Sequence, residues 1–196
     1  MQNYINPLKF HTLMINKKSF ERMQKQLEDK DKEREELIGI SREIGKFSKQ
    51  AIYSLHRKEI KEAEALLEQA RKKMKNCKQY VGAYDNSLEE YAEAAAYLGF
   101  IKGKIPDEKD LGIDTETYLG GLCDLTGELA RLAVFSVVEE NYKQVKKIKD
   151  VVSDIYDEFL KFDFRNGELR KKSDSIKWNL KKIEEILYDL KIRDKL

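Results

Sequence analysis

Hydrophobic positions recur every three and four residues along most of the chain, the spacing of amphipathic helices. Leu37, Ile40, Ile44, Phe47, Ala51 and Leu55 form one stripe within a proline-free stretch over residues 17–56, which predicts a long first helix. Its earlier half, Phe20 through Glu36, is far more charged. Ala63, Leu66, Leu67 and Ala70 form the stripe of a second helix over residues 58–75. Gly82 and Tyr84–Asp85–Asn86–Ser87 are expected to bend or break the chain. Ser87 stands where an N-cap would stand, with Glu90 at capping-box spacing, so a third helix is expected over residues 88–101. Gly103 and Pro106 end it and open a loop to Asp114.

A fourth helix is predicted over residues 115–138. It contains Gly120, Gly121 and Gly127, each costing roughly 1 kcal/mol relative to alanine in a helix interior. Three such residues imply close backbone contact with a neighbour or a local bend. Tyr142, Val145, Ile148, Val152, Ile155 and Phe159 predict a helix over residues 140–162, and Asn166–Gly167 a turn. Ile176, Leu180, Ile183, Leu187 and Leu190 alternate by four and three, so residues 169–192 read as a heptad-patterned helix packed in a bundle or between copies. The expectation is an all-α, single-domain bundle of six or seven helices over residues 14–196. Residues 1–13, with Pro7 and mixed polarity, read as a peripheral N-terminal arm.

Composition agrees. The 196 residues are 41% hydrophobic, enough for a core, and carry 2 prolines and 10 glycines, few for a β protein. Lys and Arg number 38 against 36 Asp and Glu, a net charge of +2, so any nucleic-acid surface must be local. Two cysteines, Cys77 and Cys123, with no CxxC spacing, exclude a zinc ribbon and suit a reducing cytoplasm. No apolar run approaches the roughly 18 residues of a membrane span.

Two carboxylate pairs carry the candidate chemistry. Glu90 and Glu93 are three apart, and Asp124 and Glu128 four apart, so each pair shares a helical face. Around Glu93 the neighbours turn small and apolar, and Asp124 and Glu128 lie on the least charged helix. If the two helices pack side by side, the four acids offer the oxygen ligands that Mg²⁺ or Mn²⁺ takes. His11 and His56 complete no Glu-x-x-His motif, which sets aside a di-iron bundle. His56 reads as a helix-end capping or surface residue. No Gly-rich phosphate loop is present. What remains is hard-metal chemistry on phosphate esters, a nucleotide pyrophosphatase included. Arg131, one turn beyond Glu128, suits a carboxylate or a phosphate. Arg71, Lys72, Lys73, Lys75 and Lys78 form a basic run open to phosphates, or a solvated helix end. Arg170, Lys171, Lys172 and Lys177 are a second such group.

The segment Tyr118–Leu119–Gly120–Gly121–Leu122–Cys123–Asp124–Leu125–Thr126–Gly127–Glu128–Leu129–Ala130–Arg131 resembles the signature helix of the translin superfamily. So do Leu169–Arg170–Lys171–Lys172–Ser173–Asp174–Ser175–Ile176–Lys177 and the stretch from Lys181 to Arg193. Ser41–Arg42–Glu43–Ile44, Ser48–Lys49 and Leu55–His56–Arg57 fit as well. The resemblance covers about Glu33 to Arg193. It implies the translin-like α-α superhelix and one of two activities. The translin branch binds RNA and single-stranded DNA without the full acidic site. The translin-associated factor X branch is a Mg²⁺-dependent endoribonuclease, and the two form a hollow octameric barrel. By this resemblance the nuclease acids fall on Glu90, Glu93, Asp124 and Glu128, all acidic here. The implied protein is a cytoplasmic, archaeal-type, self-assembling endoribonuclease acting on single-stranded or short RNA, with Mg²⁺ (or Mn²⁺) as cofactor. A homo-octamer and single-stranded DNA binding are implied by likeness alone. A binding protein with vestigial acids is the alternative, and a helical scaffold whose acids make intersubunit ion pairs is another.

Overall fold

The computed structural model describes residues 15–75 and 83–195, and those residues form seven helices and no strand. They are α1 (Lys17–His56), α2 (Ile60–Lys75), α3 (Ala83–Lys102), α4 (Glu108–Leu111), α5 (Thr115–Val138), α6 (Tyr142–Phe159) and α7 (Glu168–Ile192). The all-α expectation holds. The chain divides into two compact units, residues 1–37 and 38–196. In the first, the described residues are the N-terminal part of α1, where Phe20, Met23 and Leu27 are exposed. Gln24 there donates to Glu28 at 3.0 Å, one turn on.

The second unit holds the core. Ile44, Ala51 and Leu55 from α1 are buried, as are Ala63, Leu66, Leu67 and Ala70 from α2. Val145, Ile148, Val152 and Phe159 supply α6's face, and Ile176, Leu180, Ile183 and Leu190 supply that of α7. Burying each large aliphatic side chain is worth about 1.5–3 kcal/mol. α5 is the shared element, packing against α3, α6 and α7, while α2 packs on α3. The 3.6-residue stripes of the sequence are therefore the buried faces.

The end of α1 is where it was expected, but several other boundaries differ, among them α6, which spans Tyr142–Phe159 and not residues 140–162. α1 ends at His56 because Lys58 takes a left-handed conformation (φ 64°), and the Glu59 amide donates back to the Ser54 carbonyl at 2.9 Å. That loop delays α2 to Ile60. α3 begins at Ala83, not Leu88, so Ser87 is no N-cap. It is buried inside the helix, its hydroxyl 3.2 Å from that of Ser41 on α1. The loop after α3 contains the short α4, which the sequence did not announce. Asp107 caps it reciprocally with Asp110, and Gly112 closes it at φ 71°. α5 starts as predicted, with the Asp114 carboxylate accepting from the Thr117 amide at 3.0 Å.

Two α5 glycines decide how closely α3 approaches. A Cβ on Gly121 would stand 2.5 Å from the Ala92 Cβ and 2.8 Å from the Glu89 carbonyl oxygen. A Cβ on Gly120 would first meet the Glu89 side chain, its carboxylate oxygen at 2.5 Å. The close-contact reading of these glycines is the one observed. Gly127 is looser, with Asn179 Nδ2 at 3.7 Å. Gly121→Ala should destabilise the chain by about 2 kcal/mol. Gly120→Ala should cost less, since a flexible side-chain end can move. Thermal and chemical melts of the two variants check the order, and equal midpoints would contradict it.

Candidate acidic site

The close approach of α3 to α5 sets Glu89, Glu90 and Glu93 beside Asp124 and Glu128. Glu93 is only 9% exposed and makes no hydrogen bond or ion pair among the described residues. Burial raises its pKa to about 8, and the negative charges of Asp124, Glu128 and Glu90 add to the shift. The four acids singled out in the sequence therefore share one electrostatic neighbourhood.

The other three each have a basic partner. Lys172 on α7 donates to Asp124 Oδ2 at 2.5 Å and to Glu89 Oε2 at 2.7 Å. Burial works against its ammonium, but the hydrogen bonds to Asp124 and Glu89 prevail, and its pKa rises above the ordinary lysine value. Glu90 pairs with Lys49 of α1 at 3.0 Å. Glu128 is bonded to His56 Nε2, with Arg131 3.6 Å away, and the His56 bond first among these holds its pKa below the usual range.

His56 is a correction. It closes α1, as expected, but its side chain is only 7% exposed and is neither cap nor surface decoration. Its Nδ1 lies 3.2 Å from the Tyr97 hydroxyl. Both contacts are satisfied when Nε2–H donates to Glu128 and the tyrosine O–H donates to Nδ1. Tyr97 is itself fully buried, so α1, α3 and α5 meet in one hydrogen-bonded chain. Cys123, the residue before Asp124, is buried, and burial pushes its thiol up to about 12, which leaves it inert as a nucleophile.

Glu93, buried and unpaired, and the three carboxylates around it are a donor set suited to a hard divalent cation. The set is not preassembled. Among the described residues no three His, Cys, Asp or Glu side chains stand together as a ready ligand cluster. Lys172, His56 and Lys49 draw the outer acids to themselves.

The basic residues divide. Arg131 is at the site, its guanidinium also 5.7 Å above the Phe135 ring. Arg71 lines a surface cavity with Tyr91, Ala95 and Leu98, on the α2 side of α3. Glu93 is about 200° around that helix from Tyr91, so the α2 run and the acids occupy different faces. There Lys73 pairs with Glu43 at 2.6 Å and Lys72 with Glu68 at 3.8 Å, while Lys75 makes no ion pair among the described residues. Lys78 lies outside the described residues. Of the α7 group, only Lys172 reaches the acids. Lys171 pairs with Glu168, and Arg170 and Lys177 line a separate cavity with Phe162, Phe164 and Trp178. Sequence reasoning missed Glu89, Lys49 and Tyr97, and it left Lys172 undistinguished within its group.

A family model described as the translin family matches residues 32–194. The chain belongs to the translin family. Human translin is 39% identical over 94 residues, 47% of this chain and 41% of that protein. The chain thus spans about two fifths of the length of the translins it matches. An uncharacterised protein of Methanocaldococcus jannaschii is 30% identical over 87% of this chain and 83% of its own length. Rat translin-associated protein X is 28% identical over 89% of this chain and 78% of that one. Among solved structures, an AfC3PO–duplex RNA complex matches with a TM-score of 0.81 at 26% identity, over 89% of this chain and 97% of that one. Apo-NeC3PO matches at 0.76 and 27%, over 85% and 94%. The translin-family fold is therefore shared along nearly the whole of those chains. No helix among the described residues is long and apolar enough to cross a membrane.

The raised pKa of Glu93 has a thermodynamic sign. Its proton is held more tightly folded than unfolded, so its stabilising contribution is full below about 4.5, the unfolded value. That contribution is lost as pH rises toward about 8. In metal-free buffer the protein should lose a few kcal/mol between pH 5 and pH 8 through this group. Glu93→Gln should flatten the decline, which melting curves across that range would reveal. A decline of the same depth in the variant would show that Glu93 is not its source.

Proposed function

We propose that this chain is a metal-dependent endoribonuclease of the translin family, cutting single-stranded or short RNA at the acidic site. The observation that carries the reading is Glu93, a buried carboxylate left unpaired among three others. Such a group is costly in a purely structural role, and a hard cation would remove the cost. Glu90, Glu93, Asp124 and Glu128 would hold Mg²⁺, or Mn²⁺ in its place. Bound there, the ion would supply an activated water and neutralise charge at the scissile phosphate.

The chain's own groups do the rest. Glu93 must be deprotonated to act as a ligand, and it sits where burial favours the proton. His56, fixed by Tyr97, orients Glu128. Arg131 presents a guanidinium beside Glu128, suited to a phosphate oxygen. The likeness to an RNA-bound AfC3PO supports RNA as partner, and the C3PO likeness supports self-assembly, for which we propose a homo-octamer. Single-stranded DNA is a further proposed ligand.

One observation favours a second reading, a binding protein without catalysis. Three of the four acids already have basic partners, as they would in a vestigial site. A labelled single-stranded RNA incubated with Mg²⁺ separates the two, with EDTA as control and free nucleoside triphosphates to test for a pyrophosphatase. Glu93→Ala and Asp124→Ala should each lower cleavage by at least about 100-fold. RNA affinity should stay within about threefold and should fall steeply with salt in every variant. Undiminished Mg²⁺-dependent cutting in both variants would remove these acids from the chemistry.

A further inference from the structure

Lys172 joins carboxylates from two helices, Asp124 on α5 and Glu89 on α3, and it comes from a third. It is the one lysine among the described residues to do so. Its side chain is 29% exposed, that of Glu89 23% and that of Asp124 36%, so the three meet in a partly desolvated space. Glu89 is not among the four acids assigned to the ion, and its only ion pair among the described residues is with Lys172. The fold keeps a place for it, because Gly120 leaves open the volume that the Glu89 carboxylate occupies.

We infer that Lys172 is the acidic site's internal counter-ion, and that a divalent cation binding at Asp124 exchanges against its ammonium, which stays tethered to Glu89. The inference rests on the metal site proposed above. The physical ground is competition for one carboxylate. An ammonium 2.5 Å from Oδ2 and a divalent cation on the same group would repel strongly at such range. Glu89 resolves the conflict, because it retains the displaced charge beside the site instead of releasing it. Asp124 then has a cationic partner in both states, lysine without metal and the metal when it is bound. It also accounts for the lack of a preassembled ligand cluster beside four suitable carboxylates.

Calorimetric titration of Mg²⁺ and Mn²⁺ into the EDTA-stripped full chain tests this without reference to cleavage. Lys172→Met keeps the stem and removes the ammonium. It should bind metal about tenfold more tightly, melt lower than the parent in EDTA, and gain more from metal. Lys171→Met is the control for net charge, since that lysine is exposed and bonded to Glu168 at 2.6 Å, away from the acids. It should leave metal affinity nearly unchanged. Equal tightening in both variants overturns the exchange and assigns the effect to overall charge. Unchanged or weaker affinity in a folded Lys172→Met overturns it too, while the nuclease reading stands. Should Lys172→Met fail to fold, Glu89→Gln gives the complementary test, because it commits the ammonium to Asp124 alone and must weaken metal binding. Unweakened binding there would again refute the exchange. No binding by the parent chain or any variant would overturn both the exchange and the metal site beneath it.

Discussion

The contact between α3 and α5 at Gly121 is the constraint on which the site depends. Helix axes normally stand 8–10 Å apart, the distance set by side chains between them. Here a missing side chain lets the α3 backbone at Glu89 and Glu93 descend onto α5. The descent brings Glu93 within electrostatic reach of Asp124 and Glu128. Carboxylates gathered this way repel one another, and each then needs a proton, a hydrogen-bond donor from a basic side chain, or a metal ion.

The described residues show the first two. Glu93, deepest, keeps its proton up to about pH 8. Asp124 and Glu128, half-buried, take Lys172 and His56. Glu90, also half-buried, has the mostly exposed Lys49. A core built for stability alone would replace such groups with hydrocarbon.

Much of this was legible in the sequence, and the limit has a physical form. Features that depend on residues three or four apart were readable: the stripes of α2, α6 and α7, both bounds of α5, and the two carboxylate pairs. Features that depend on what one helix meets on another were not. Lys172 is 48 residues from Asp124, and His56 is 72 from Glu128. No spacing rule connects them. Ser87 has the chemistry of a cap and the position of a core residue, because tertiary contact with Ser41 outweighed its local preference. The glycines were the exception. Their cost inside a helix signalled a neighbour before the neighbour was known.

The left-handed residue at Lys58 has a consequence for dimension. It stops α1 at His56, the one residue of that helix whose ring reaches both Tyr97 and Glu128. Each residue added to or removed from a helix turns everything beyond it by about 100°. The length of α1 between its buried stripe and its end is therefore a measured quantity, and the turn at Lys58 is the mark at which the measuring stops. A chain of this family can drift in sequence along the exposed side of α1, but a change of register between Ile44 and His56 would point the imidazole elsewhere and leave Glu128 to find another partner.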